Sequence, residues 1–152
     1  MRRSKQQISA AECEQILCSA ARGVLAVADE DGYPYAFPMN YLYRDEKIYF
    51  HSARSGHKLA ALAKDPQVSF CVMNQGYKKA GEWALNIASV IVFGQMRLLE
   101  AGPEAESRLR QIGLKYYPDA VQTEAAVRQG AEHVQILVLE PDFISGKLVK
   151  ES

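Results

Sequence analysis

The residues best placed to do chemistry lie in one short run, Ile48-Tyr49-Phe50-His51-Ser52-Ala53-Arg54-Ser55-Gly56-His57-Lys58-Leu59. An aromatic strand pattern ends at the His51-Ser52 pair, a loop of small residues follows, and a helix pattern opens just before Lys58. The first turn of a helix has N–H groups with no intrahelical acceptor and carries the positive end of the dipole. Ser52 and Ser55 add hydroxyl donors, and Arg54, His57 and Lys58 add cationic ones. Between positions 54 and 79 five basic residues (Arg54, Lys58, Lys64, Lys78, Lys79) stand against one acid, Asp65. The chain as a whole has a formal net charge of zero. Such a segment could hold the phosphate of a small ligand. A capped helix with a solvated basic face has the same composition, and the residues alone leave both readings open.

Other chemistries find less support. His51 and His57 lack a third partner for metal ligation, since His133 is distant in sequence, so structural or phosphate-binding histidines are expected. There is no Gly-x-Gly-x-x-Gly, no Gly-x-x-x-x-Gly-Lys-Ser/Thr and no Gly-x-Ser-x-Gly, which removes the dinucleotide, P-loop and serine-hydrolase readings. No catalytic residue stands out. The odd set Cys13, Cys18 and Cys71 cannot form a fully paired framework. All three fall in helix or strand patterns and are expected in the core. The aromatics Tyr33, Tyr35, Phe37, Tyr41, Tyr43, Tyr49 and Phe50 crowd one hairpin, as in a platform for single-stranded nucleic acid. Zero net charge favours strand propensity and core packing instead. With 48% hydrophobic and 24% charged residues, the composition is that of a globular protein, with no electrostatic grip on nucleic acid or membrane. No apolar stretch follows Met1-Arg2-Arg3-Ser4-Lys5 and none is long enough to span a bilayer, so a cytoplasmic protein is expected.

The elements that must position the run are readable in outline. Ser9 and Glu12 form a capping-box pattern, and Cys13, Ile16, Leu17 and Ala20 then share one helical face, with Gly23 placed to end the helix. Residues 24–28, 35–43 and 47–51 read as antiparallel strands joined by turns at 29–32 and 44–46, with Pro38 at an edge or bulge. Ser55 is placed to cap a helix whose inner face is Leu59, Leu62 and Ala63, and Asp65-Pro66 stops it. A strand at 67–73 and a polar loop at 74–82 follow. The pattern over 83–100 gives one or two long strands centred on Val90-Ile91-Val92-Phe93. That run is apolar on both faces and should be central and covered on both sides. Residues 104–116 read as a helix with Leu109, Ile112 and Tyr116 on one face. A second helix over 119–130, a strand over 134–139 and an extended tail over 143–149 complete the chain. This order, a β-meander with one helical insert and then two helices and a strand, predicts a mainly β single domain over 1–152, a small antiparallel barrel with flanking helices.

The same residues resemble a known family. Pro38-Met39-Asn40-Tyr41, then Ile48-Tyr49-Phe50-His51-Ser52-Ala53, Gly56-His57-Lys58, Asp65-Pro66-Gln67-Val68 and Ala88-Ser89-Val90-Ile91-Val92-Phe93-Gly94 are similar, in order, to motifs of the pyridoxamine 5′-phosphate oxidase-like FMN-binding split barrels. The nitroimidazole-resistance (NimA-like) branch is the most similar. Arg2-Arg3 and Ile144-Ser145-Gly146-Lys147 fit it too. The resemblance implies a Greek-key-like split barrel that binds FMN as a homodimer. Lys58, Ser52 and His51 would hold the phosphate and ribityl chain, with Ala53 and His57 nearby. Met39, Asn40 and Tyr41 would line the flavin ring, and Ser89 and Val90 would come from the central strand. The implied activity is a flavin-dependent oxidoreductase, with NAD(P)H or a partner reductase as donor and a small nitroaromatic or quinone-like acceptor. The alternative is a non-catalytic flavin- or haem-binding carrier or sensor. The Arg-x-Val-Leu-Leu-Lys stretch of true pyridoxamine-phosphate oxidases is missing, which argues against pyridoxal-phosphate synthesis.

Overall fold

In a computed structural model, which describes residues 4–117 and 119–151, the chain forms four α-helices and eight strands. In order they are α1 (Ala10–Ser19), β1 (Arg22–Ala28), β2 (Pro34–Asn40), β3 (Leu42–Arg44), β4 (Lys47–Ala53), α2 (His57–Lys64), β5 (Gln67–Met73), β6 (Tyr77–Lys78), β7 (Leu85–Leu98), α3 (Pro103–Tyr116), α4 (Ala120–Gly130) and β8 (Val134–Glu151). Arg2 and Arg3 lie outside the described residues. Among the described residues no helix is long and apolar enough to cross a membrane.

All eight strands join one antiparallel sheet in the order β2-β1-β5-β7-β8-β4-β3, with β6 on β7. The two ends of that order, β2 and β3, are separated in sequence by Tyr41 alone. The sheet must therefore curl until its edges nearly meet, which makes a half-barrel with an open seam between β2 and the β3–β4 hairpin. Pro38 sits on the β2 edge, as expected for a residue that cannot donate to a ladder. A meander is not what forms: β2 and β3 are consecutive in sequence and lie at opposite ends of the sheet. Burial alternates along the strands, and Leu25, Val27, Phe50, Phe70, Val72, Val90, Val92 and Leu139 fill the interior. Helix α1 closes this core with Cys13, Ile16 and Leu17, and its capping box is present at Ser9 and Glu12. A smaller cluster, Tyr49, Ile136, Val138, Leu99 and Ile112, packs α3 onto the outer face of β4 and β8.

Several expectations are corrected. Gly23 does not end α1; it lies inside β1, where the Phe70 ring occupies the space a side chain would need. Ser55 is not the cap of α2. Gly56 is, at φ 134° and with no side-chain bond, and Ala61 rather than Ala63 joins Leu62 in the core. The two C-terminal extended pieces are one 18-residue strand, bulged opposite Phe93 and Gly94. Only Cys13 is buried; Cys18 and Cys71 are exposed. The aromatics do not form one platform, because Tyr41 and Phe50 are in the core and Tyr49 lies beneath α3. β7 is central, but only its inner face is covered. Ile91 is half-buried and Phe93 is exposed, because α3 packs on β3, β4 and β8 instead and α4 packs on α3.

Candidate functional site

Helix α2 delivers Lys58. Leu59, Ala61 and Leu62 pin the helix to the barrel end, which leaves its first turn facing the seam between β2 and β4. The Lys58 Nζ lies 3.6 Å from the Met39 Sδ and 4.9 Å from the centre of the Phe37 ring. Among the described residues no carboxylate pairs with it. The rest of the predicted basic excess disperses. Lys64 pairs with Glu30 at 2.7 Å, His57 meets Asp29 at 3.1 Å, and Lys78 lies away on β6, whose backbone pairs with β7. His57 thus ties α2 to the β1–β2 turn, with its ring edge-on to Tyr35. Lys58 is left as the half-buried cation with only soft partners, a thioether and a π face, which are weak substitutes for water or an anion.

Strand β4 presents the second group. Its alternation turns Ile48, Phe50 and Ser52 into the barrel and His51 and Ala53 outward. His51 faces a cleft that also touches Asn40. Desolvation there, with the Lys58 ammonium nearby, holds its imidazole below the usual histidine range. Met39 is buried against Lys58, and Asn40, the next residue on β2, points to the opposite face. Tyr41 stands behind them. Its ring is fully buried and its hydroxyl donates to the Leu17 carbonyl at 2.7 Å, so its side chain belongs to the core rather than to the cleft.

Ser89 and Val90 are not brought to this place within one chain. Ser89 pairs with Lys147 on β8, whereas His51 pairs with Ile136. Those β8 positions are separated by roughly 35 Å of extended strand. Val90 points into the barrel and Ser89 out of it, on the sheet face that α3 and α4 leave open.

Two adjacent residues of α3 stand at the edge of the cleft: Tyr116, which the sequence placed on a packing face and which lines it, and Lys115, which had no sequence signal. The Lys115 Nζ donates to the Ala20 and Tyr41 carbonyls, each at 3.0 Å, and sits 3.9 Å from the centre of the Tyr41 ring. Burial lowers its pKa from the usual 10.5 to about 8. The Tyr116 hydroxyl accepts from the Tyr41 N–H at 2.9 Å and donates to the Ala21 carbonyl. Together they latch α3 to the β2–β3 junction. α3 and α4 then form the far wall of the cleft, which has a volume of about 410 Å3. Among the described residues no three His, Cys, Asp or Glu side chains group to hold a metal.

A sequence profile for pyridoxamine 5′-phosphate oxidase matches residues 9–148. Comparison with curated proteins finds no significant match. Among solved structures, a candidate 5-nitroimidazole antibiotic resistance protein from Bacteroides thetaiotaomicron superposes with a TM-score of 0.80 at 23% identity, over 95% of this chain and 87% of that one. A FAD-binding protein from Mesorhizobium loti gives 0.68 at 25% identity, over 95% and 97%. A FAD- and haem-binding protein from Mycobacterium smegmatis gives 0.67 at 19% identity, over 94% and 73%. The fold is that of the split barrels.

Proposed function

From the premise that the chain belongs to the pyridoxamine 5′-phosphate oxidase family, as its match over residues 9–148 shows, we propose that it binds FMN and acts as a flavin-dependent oxidoreductase. The observation that carries the reading is Lys58: a half-buried ammonium without a carboxylate partner among the described residues, beside a helix start that no side chain caps. A phosphate supplies what that group lacks, through charge-assisted hydrogen bonds.

In this reading Lys58 holds the phosphate, with Ser52 and His51 along the ribityl chain and Ala53 and His57 at the rim. Met39 and Asn40 border the ring, and Tyr41 supports them from behind. Ser89 and Val90 reach the flavin only from a second subunit, Val90 by its backbone alone. When bound, the flavin supplies the electron transfer. The chain's own residues bind and orient it, and the neutral imidazole of His51 keeps a second positive charge away from Lys58. The donor is NAD(P)H or a partner reductase, and the acceptor is a small nitroaromatic or quinone-like molecule.

The FAD-binding neighbours favour a second reading, FAD in place of FMN. Titration with FMN, FAD and riboflavin separates them. Tight FMN binding with weak riboflavin binding is expected. Equal affinity for FMN and riboflavin removes the phosphate site, and preference for FAD selects the second reading. Anaerobic mixing of the loaded protein with NADH or NADPH then tests the redox role. A flavin that no such donor or reductase reduces favours a carrier or sensor, and a haem absorption band in the purified protein favours the haem-binding form of that alternative.

A further inference from the structure

We propose that Asp29, on the turn between β1 and β2, is a positioning residue for the phosphate anchor: through His57 it holds the first turn of α2 so that Lys58 is set for an anion before the ligand arrives. The inference rests on the phosphate reading of Lys58 given above. Helix α2 has eight residues, a length at which a helix depends on tertiary contacts. Leu59, Ala61 and Leu62 hold its body to the barrel. Its first turn lacks that hold, because Gly56 offers no side-chain cap and His57 and Lys58 precede the apolar contacts. That turn is met by β2 instead. Tyr35, Phe37 and Met39 alternate onto one face of β2. His57 stands edge-on to Tyr35, 4.9 Å between ring centres, and Lys58 lies over Phe37 and against Met39. Tyr35 and Phe37 touch each other at 4.7 Å. The row is closed at its outer end by the His57 Nε2, 3.1 Å from the Asp29 Oδ1.

Asp29 is a firm point to hold from. Its Oδ1 accepts from the Glu30 N–H at 2.7 Å, its N–H donates to the Tyr33 carbonyl at 3.0 Å, and its carbonyl accepts from the Gly32 N–H at 3.1 Å. Glu30 meets Lys64 at 2.7 Å, so two consecutive acids bracket α2 at its first and last residues. The two pairs differ in cover. The Asp29 side chain is 15% exposed and that of Glu30 45%, which makes the Asp29 pair the less screened of the two. It also acts on the residue next to Lys58, whereas Lys64 lies at the far end of the helix. A lysine held in place before binding removes an ordering cost that would otherwise appear as lost affinity.

The experiment titrates FMN and riboflavin into the parent, Asp29→Ala, Asp29→Asn, Lys58→Ala and the Asp29→Ala/Lys58→Ala double variant. Asp29→Asn keeps an acceptor for the Glu30 N–H and so keeps the turn, and circular dichroism checks the fold of each protein. Asp29→Ala should lower FMN affinity about fivefold and leave riboflavin affinity within about twofold, since FMN alone carries the phosphate. Charge alone gives the opposite sign, because removing a carboxylate paired to the neighbour of Lys58 should tighten the binding of an anion. In the Lys58→Ala background the Asp29 substitution should change FMN affinity by less than about twofold, because Asp29 acts through Lys58. Unchanged or tighter FMN binding in both Asp29 variants, an equal loss for riboflavin, or the same loss without Lys58 overturns the proposal. A parent whose preference for FMN disappears in Lys58→Ala and persists in both Asp29 variants keeps the flavin reading and fails the proposal alone. A parent with equal affinity for the two ligands fails both.

Discussion

An ammonium held between a thioether and an aromatic ring is poorly compensated, and two half-buried lysines without a carboxylate partner among the described residues, Lys58 and Lys115, contrast in how they are met. Lys58 points at the seam, where an anion can reach it. Its replacement by alanine should weaken FMN binding by about ten- to a hundredfold, the ~1.5–3 kcal/mol typical of a hydrogen bond to a charged group, with an unchanged circular dichroism spectrum. An unchanged affinity would make Lys58 a packing residue. Lys115 is instead enclosed, with carbonyls as acceptors and the Tyr41 ring beneath it. Burial depresses its folded-state pKa to about 8 from 10.5. Between those values the unfolded chain binds more protons than the folded one, so this group makes stability rise with pH. Tyr41 and Tyr116, both raised by burial, act in the opposite sense at higher pH. Urea unfolding at pH 7.5 and 9.5 should show a gain for the parent that Lys115→Met lacks; equal changes in the two proteins refute it. Lys58 was legible in the sequence because Gly-His-Lys follows a strand and opens a helix. Lys115 was not, and Tyr116 was legible only as a packing residue of its helix, because their partners, Ala20, Ala21 and Tyr41, are some 75 to 95 positions away.

At the scale of elements, local signals were read well and pairing was not. The Ser9 capping box, β5 from Gln67 to Met73, and the ends of α3 and α4 follow from neighbours in the sequence. The β1–β5 and β4–β8 pairings close over long stretches of chain and leave no local trace. The same limit hid the split of the aromatics between the two ends of the sheet. The hairpin of α3 and α4 depends on both kinds of contact. Asp119 caps α4 by accepting from the Val121 and Gln122 N–H groups at 2.9 and 3.0 Å, and the Arg110–Glu124 pair ties the helices side by side. Asp119→Ala should cost about 1 kcal/mol of stability, within the usual ~0.5–2 for a lost cap. Because α4 walls the cleft and stands apart from Lys58, FMN affinity should stay the same. A stability loss accompanied by loss of FMN would show that α4 supports the flavin site directly.

The whole molecule raises the question of what covers the outer face of the sheet. Two rows of side chains run across it in register. One is Pro38, Val24, Cys71, Ile91 and Ser145, and the other is Ala36, Ala26, Ser69, Phe93 and Phe143. No member of either row is charged. Phe93 and Phe143 face each other across β7 and β8, 50% and 57% exposed. A contiguous uncharged, largely apolar surface over five strands is unusual on a monomer and usual at an association site. The late helices do not cover it, since α3 packs on β3, β4 and the Ile136–Val138 end of β8, and α4 packs on α3. A second copy related by a two-fold axis is the occupant we propose, because a self-complementary apolar patch without net charge suits an isologous contact. The row through Pro38 and Ala36 continues along the outer face of β2 to Asn40, so a partner seated there borders the cleft and brings its own Ser89 towards it. Dimer formation and flavin binding should therefore be linked. In sedimentation equilibrium over a dilution series the parent should exceed the monomer mass of 16.9 kDa. Phe93→Asp places a charge in the middle of the patch and should shift the protein to monomer, with FMN affinity falling in step. Because Phe93 is half-exposed in the single chain, the variant should keep the fold, which circular dichroism can confirm. A parent that remains at the monomer mass at high concentration with FMN bound would refute the dimer and the two-subunit site together. A monomeric Phe93→Asp that binds FMN as tightly as the parent would keep the dimer and place the whole flavin site within one chain.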